Sequence, residues 1–163
     1  MVMKESKIKD LFEDTKTIYV FDVDGVLARL ELGEYTHYFY NDEMWEKALQ
    51  THDFYDEIRP IISMQDFIQK RNKEHIYVAT RVYNEVEYEQ KMCFLEKHYG
   101  ILKEHVYLVY NNDEKLDVMN KIKESHPNLE DKYFVMIDDT VEVLNHIMDN
   151  SNFSTVHISS FLQ

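Results

Sequence analysis

Five short runs of β-branched and aromatic residues, at 17–21, 75–79, 106–110, 133–137 and 155–158, constrain the fold of this chain more than any other feature. Their apolar residues are continuous rather than alternating, as in strands covered on both faces. Segments of helical period lie between them. Asn84 is placed to cap a helix, with Glu87 three residues on and Gly100 at its stop, and Tyr88, Met92, Leu95 and Tyr99 share a face. Pro60 suits the start of another helix, with Ile61, Met64 and Ile68 turned inward. Asp113 is expected to cap the helix through Leu116 and Met119, and Thr140 the helix through Leu144 and Met148. Strand and helix alternating in this way predict an α/β fold with a mostly parallel five-stranded sheet.

The stretch 26–59 breaks the rhythm. It holds a hairpin signal around Gly33, an aromatic run at 35–40 and a short helix near Trp45. We expect a single domain over residues 1–163, with 26–59 as a flap or small cap packed on it, because 163 residues suffice to bury one core without metal or disulfide staples. Cys93 is the only cysteine, so no intramolecular disulfide forms; a reducing compartment is expected, and Cys93 reads as a helix-packing residue. No signal-peptide pattern opens the sequence and no apolar run approaches the ~20 residues of a membrane span, so the expected location is the cytoplasm.

Eighteen basic against 31 acidic residues give a net charge of -13, whose field repels duplex nucleic acid and anionic membranes. Neither is expected as a partner. The same acidity repels a phosphorylated substrate unless a bound cation and local basic groups reverse the potential. Trp45 and the tyrosines would serve a dimer interface as readily as a pocket, so the sequence sets no oligomeric state.

The first strand runs straight into Asp22-Val23-Asp24-Gly25, and the fourth ends in Asp138-Asp139. In open α/β sheets ligands collect outside the carboxyl ends of the strands, and residues two apart on an extended chain point to one side. Asp22 and Asp24 therefore face one pocket. Four carboxylates at one sheet edge repel one another, and a hard divalent cation resolves the repulsion, with Mg2+ favoured by few carboxylates plus water and phosphate oxygens. Thr80 and Arg81 at the end of the second strand, and Lys115 at the opening of the helix after the third, supply donors for phosphate, with Lys121 as the alternative lysine. No cysteine or serine is similarly placed as a nucleophile.

In their order these residues resemble the haloacid dehalogenase (HAD) superfamily of phosphohydrolases. Asp22-Val23-Asp24-Gly25 matches its first motif, Thr80 the second, Lys115 the third and Asp138-Asp139 the fourth, over residues 18–148. The resemblance implies a HAD-like Rossmannoid three-layer sandwich with a small insertion after strand one. It also implies an Mg2+-dependent phosphatase in which Asp22 is the nucleophile and forms an aspartyl-phosphate. Asp24 would serve as acid/base, while Thr80 and Lys115 clamp the phosphoryl group. Mg2+ would be held by Asp22, the backbone carbonyl of Asp24, Asp138 and, directly or through water, Asp139. The dehalogenases lack the second acid, so Asp24 favours phosphoryl chemistry.

The expected substrate is a small phosphorylated metabolite or a nucleotide. HAD members with an insertion at this point include the 5'(3')-deoxyribonucleotidase-like group, which the chain resembles in that respect, although the Thr-Ala-Arg usual there is Thr80-Arg81-Val82 here. A second reading is a catalytically silent HAD-like domain that binds a phosphorylated ligand or protein partner. A receiver domain gathers similar residues, but its phosphorylated aspartate ends the third strand, where this chain has Val109-Tyr110-Asn111-Asn112.

Overall fold

Strands that are apolar at every position need cover on both faces, and the chain supplies it with helices on each side of one sheet. The computed structural model describes residues 5–29, 41–51 and 53–161. The elements are α1 (Glu5–Glu13), β1 (Ile18–Phe21), α2 (Asp42–Thr51), α3 (Phe54–Glu57), α4 (Ile62–Gln69), β2 (Ile76–Arg81), α5 (Glu85–Tyr99), β3 (Val106–Val109), α6 (Glu114–Glu124), β4 (Phe134–Asp138), α7 (Val141–Asn150) and β5 (Ser154–His157). The five strands pair in the order β3-β2-β1-β4-β5, every pair parallel. This is the expected α/β architecture.

The sheet separates two cores. On one side Tyr19, Phe21, Ile76, Val78, Val135 and Ile137 pack under α4 and α5 with Met64, Ile68, Phe94 and Leu95. On the other, Ile18, Val20, Tyr77, Phe134 and Met136 pack under α6 and α7 with Met119, Ile122, Leu144 and Ile147. Alternate residues of each strand go to opposite sides, as strand geometry requires. Each side buries large aliphatic and aromatic groups, each worth about 1.5–3 kcal/mol relative to exposure.

Local signals explain most boundaries. Asn84 accepts the Glu87 N–H at the start of α5, and Gly100 ends it in the left-handed region at φ 58°, where any side chain would be strained. At Pro60 the helix begins two residues late: α4 opens at Ile62 because the Ile61 N–H is donated to Leu27. Asp113 and Thr140 occupy the N-cap positions of α6 and α7, but neither side chain caps its helix. Met148 is 56% exposed rather than inward, and Cys93 is exposed rather than a packing residue.

Helix α1 and the seat of the insertion on α5 lay beyond the sequence reading. Helix α1 precedes the sheet, where Phe12 stacks on Phe161, meets Phe67 edge-on and lies tilted against Tyr19. In the described part of the insertion, α2 and α3 rest on α5, with Trp45 against Phe54 and Tyr55 against Phe94. Trp45 thus packs the insertion down. The hairpin expected at Gly33 and the aromatic run 35–40 lie outside the described residues. Among the described residues no helix is long and apolar enough to cross a membrane.

Candidate active site

The register of the central strands decides what meets at the sheet edge. Phe21 lies beside Ile137 in the β1–β4 pair, and the ladder runs one residue further as Asp22 N–H donates to the Ile137 carbonyl at 3.0 Å. Asp22 and Asp138 therefore leave adjacent strands side by side. The chain lays β2 and β3 on one side of β1 and then crosses to lay β4 and β5 on the other, so this edge is where the connections diverge and a crevice opens. Gly25 has φ 75° and lets the chain turn at once, with its N–H on the Ala28 carbonyl.

Lys115 reaches into this edge from α6. Its Nζ lies 3.2 Å from Asp22 Oδ1 and 2.8 Å from Asp138 Oδ2, and all three residues are buried. The other Asp138 oxygen accepts the Thr140 N–H at 2.9 Å. Asp139 follows, half-buried, its Oδ1 accepting from Thr140 Oγ1 at 3.3 Å, which is where the hydroxyl expected to cap α7 has gone. His157 of β5 holds the Asp139 carbonyl at 3.1 Å; Ser159 N–H donates to Nδ1, so Nε2 carries the proton in that bond.

Burial pushes the Asp22 carboxyl up to about 7; Lys115 draws it down, while Asp138 and Asp24 push it further up. Burial opposes the charge on Lys115, yet Asp22 and Asp138 outweigh it and leave its pKa raised. Burial and then Asp138 also raise Asp139. One ammonium among these carboxylates leaves an excess of buried negative charge. Asp22, Asp138 and Asp139 each offer a carboxylate oxygen within 4.8 Å of the others, a donor set that fits a hard, oxygen-seeking cation.

Asp24 stands in a second cluster. Its Oδ1 accepts from Tyr55 Oη at 2.6 Å and its Oδ2 pairs with Lys91 Nζ at 2.8 Å. Lys91 also meets Glu87 Oε1 at 2.9 Å, Thr80 Oγ1 at 3.1 Å and the Arg81 carbonyl at 2.5 Å. Thr80 is buried, its hydroxyl turned to Lys91, whereas Arg81 is exposed at the strand end. A recess of about 150 Å³ opens beside Asp24, between Asp42, Trp45, Arg81, Tyr83 and Glu87.

No family model and no curated protein matches the sequence. Among solved structures, DsGPDH of Dunaliella salina superposes with a TM-score of 0.58 at 14% identity, over 94% of this chain and 25% of that one. The chain spans about a quarter of that protein's length. The superposition over nearly the whole chain shows a shared fold, and this chain's own strand order, with acids at the ends of β1 and β4, fits the fold that its motifs resemble.

The fold is HAD-like.

A second structure, the HAD domain of effector protein Lem4 from Legionella pneumophila, covers 86% of this chain and 84% of its own at 13% identity and a TM-score of 0.47. On the HAD-like scaffold Asp22, Lys115, Asp138 and Asp139 come together, while Asp24, Thr80 and Arg81 gather around Lys91. Lys121 lies away from the edge, its Nζ over the Tyr107 ring. Lys91, Glu87, Tyr55 and His157 were missed by sequence reasoning. A signal existed for two of them: Glu87 and Lys91 are one helical turn apart on the face that continues through Phe94 and Leu95. A charge pair on an apolar face marks groups that neutralise each other or serve a site.

Proposed function

We propose that this chain is a Mg2+-dependent phosphatase that hydrolyses a small phosphomonoester, a nucleotide among the candidates, through an aspartyl-phosphate on Asp22. The observation that supports it most is the convergence of Lys115 on both Asp22 and Asp138 at the divergence of the HAD-like sheet. An Asp22 oxygen attacks phosphorus, and the bond from phosphorus to the departing oxygen breaks as Asp24 gives that oxygen a proton. Water then attacks the phosphoryl group, loses a proton to Asp24, and frees Asp22 and inorganic phosphate. Lys115 faces the nucleophile and stabilises charge on the non-bridging oxygens, while Thr80 and Arg81, at the end of β2, stand on the Asp24 side of the edge.

Asp22, Asp138, the Asp24 carbonyl and, directly or through water, Asp139 would hold Mg2+, which when bound neutralises charge between nucleophile and phosphoryl group. The residues described at 41–59 stand over the Asp24 side of the edge and suit a small lid over a small substrate.

Hydrolysis of a phosphomonoester panel that includes nucleotides tests the proposal, with native chain, Asp22→Asn and chelator compared. Turnover that requires Mg2+ and falls roughly 10³-fold or more in Asp22→Asn is expected, the scale on which a covalent nucleophile matters. Metal binding without turnover of any compound would instead favour a domain that binds a phosphorylated ligand.

A further inference from the structure

Two lysines are buried at this sheet edge, and the reaction just described uses only one. Lys115 sits between Asp22 and Asp138; Lys91 sits in the same manner between Asp24 and Glu87, at 1% exposure. A lysine with only Glu87 to neutralise would be an ordinary helix pair one turn apart. Lys91 goes further and ties together the turn after β1, the end of β2 and the first turns of α5. Glu87 is anchored from behind, its Oε2 accepting the Tyr83 N–H at 2.7 Å. Tyr55, also at 1% exposure, is wedged between Phe54, Trp45 and Phe94 and grips the other oxygen of Asp24.

Both oxygens of Asp24 are thus held by rigid, buried donors, yet its side chain remains 28% exposed, toward the recess between Trp45, Arg81 and Tyr83. The tethers fix where the carboxyl stands and leave one side of it open. A group that must meet a departing oxygen needs that kind of placement, since small displacements cost large factors in rate.

We propose that Lys91 and Tyr55 are positioning residues that aim Asp24 at the leaving-group oxygen, and that through them this chain handles esters of aliphatic alcohols, whose departing oxygen requires a proton. This rests on the phosphatase reading above. Asp22 and Lys115 act on the phosphoryl group whatever its ester; Lys91 and Tyr55 act only through Asp24. In the step that expels the alcohol, removing them therefore penalises an alkyl phosphate and spares an aryl phosphate with a good leaving group, while hydrolysis of the aspartyl-phosphate, where Asp24 is the base, is common to both.

The experiment compares glycerol phosphate with p-nitrophenyl phosphate in the native chain, Tyr55→Phe, and Glu87→Gln/Lys91→Met, the last removing both members of the buried helix pair so that Glu87 is not left charged and buried. Circular dichroism establishes matched folding. In each variant kcat/KM, which reads the steps up to departure of the alcohol, should fall about 10–100-fold on glycerol phosphate, a part of the 10²–10⁴ that a general acid contributes, while kcat/KM on p-nitrophenyl phosphate falls less than about 3-fold. In Tyr55→Phe the inhibition constant of inorganic phosphate, which has no leaving group, should stay within about 3-fold, and in an Asp24→Asn background the Tyr55 change should cost less than about 2-fold more. Equal losses of kcat/KM on both esters, or full additivity with Asp24→Asn, would overturn the positioning role and leave the phosphatase reading standing. A native chain that turns over neither ester would remove both.

Discussion

Burial works against the charge on Asp22, and Lys115 offsets only part of it, so the carboxyl rises from 3.8 to about 7. The folded chain then holds this proton more tightly than the unfolded one, and stability present below the unfolded value is lost as pH rises from about 4 through 7. Asp22→Asn removes that cost. In chelator it should be more stable than the native chain at pH 8, by roughly 2–4 kcal/mol in urea titrations, with the gap closing toward pH 4. A native chain as stable as Asp22→Asn at pH 8 would mean that Asp22 is not an isolated excess charge at this edge. Excess charge of this kind is what a bound cation relieves, and the same residue is then both a liability to the empty fold and the site's nucleophile.

At the scale of elements, α5 links fold to chemistry. Its cap is the Asn84 side chain on the Glu87 N–H at 3.0 Å, in the turn that also places Lys91. Asn84→Ala should cost about 1 kcal/mol in urea unfolding, the usual worth of such a cap; no loss would show that packing under Phe94 and Leu95 alone sets the helix start. Both ends of α5 were legible because Asn and Gly act locally. Its inward face was legible only in the second half, where Leu95 and Tyr99 are buried; Tyr88 and Met92 are only half-buried, while Glu87 and Lys91 lie inside, since their charges are satisfied by each other and by Asp24. Asp113 and Thr140 were read as caps from position, but hydroxyl and carboxyl groups near a site have competing partners, as the Thr140–Asp139 bond illustrates. Helix α1 is short, with few apolar residues, and its place depends on distant rings at Phe67 and Phe161.

For the molecule as a whole, the parallel sheet was legible because continuous apolar strands interleaved with helices admit few other arrangements, and the acids at two strand ends then fall to one edge. Lys91 and Tyr55 come from outside those strand ends, so their meeting with Asp24 depended on how the insertion and α5 pack. The net charge of -13 makes a cation the natural stabiliser of this molecule. Mg2+ at 100 times its Kd should add about 2.7 kcal/mol to stability, and Asp138→Asn should abolish most of that gain. An unchanged Mg2+ response in Asp138→Asn would place the cation elsewhere.

The central claim is that Asp22 carries the phosphoryl group. Rapid acid quenching of the Mg2+-loaded chain during turnover of p-nitrophenyl phosphate, followed by peptide mass spectrometry, tests it most directly. The account predicts one added phosphoryl group on the peptide containing Asp22, labile to hydroxylamine and absent in Asp22→Asn. Sustained turnover with that peptide unmodified at every quench time, or with the phosphoryl group on another residue, would contradict it.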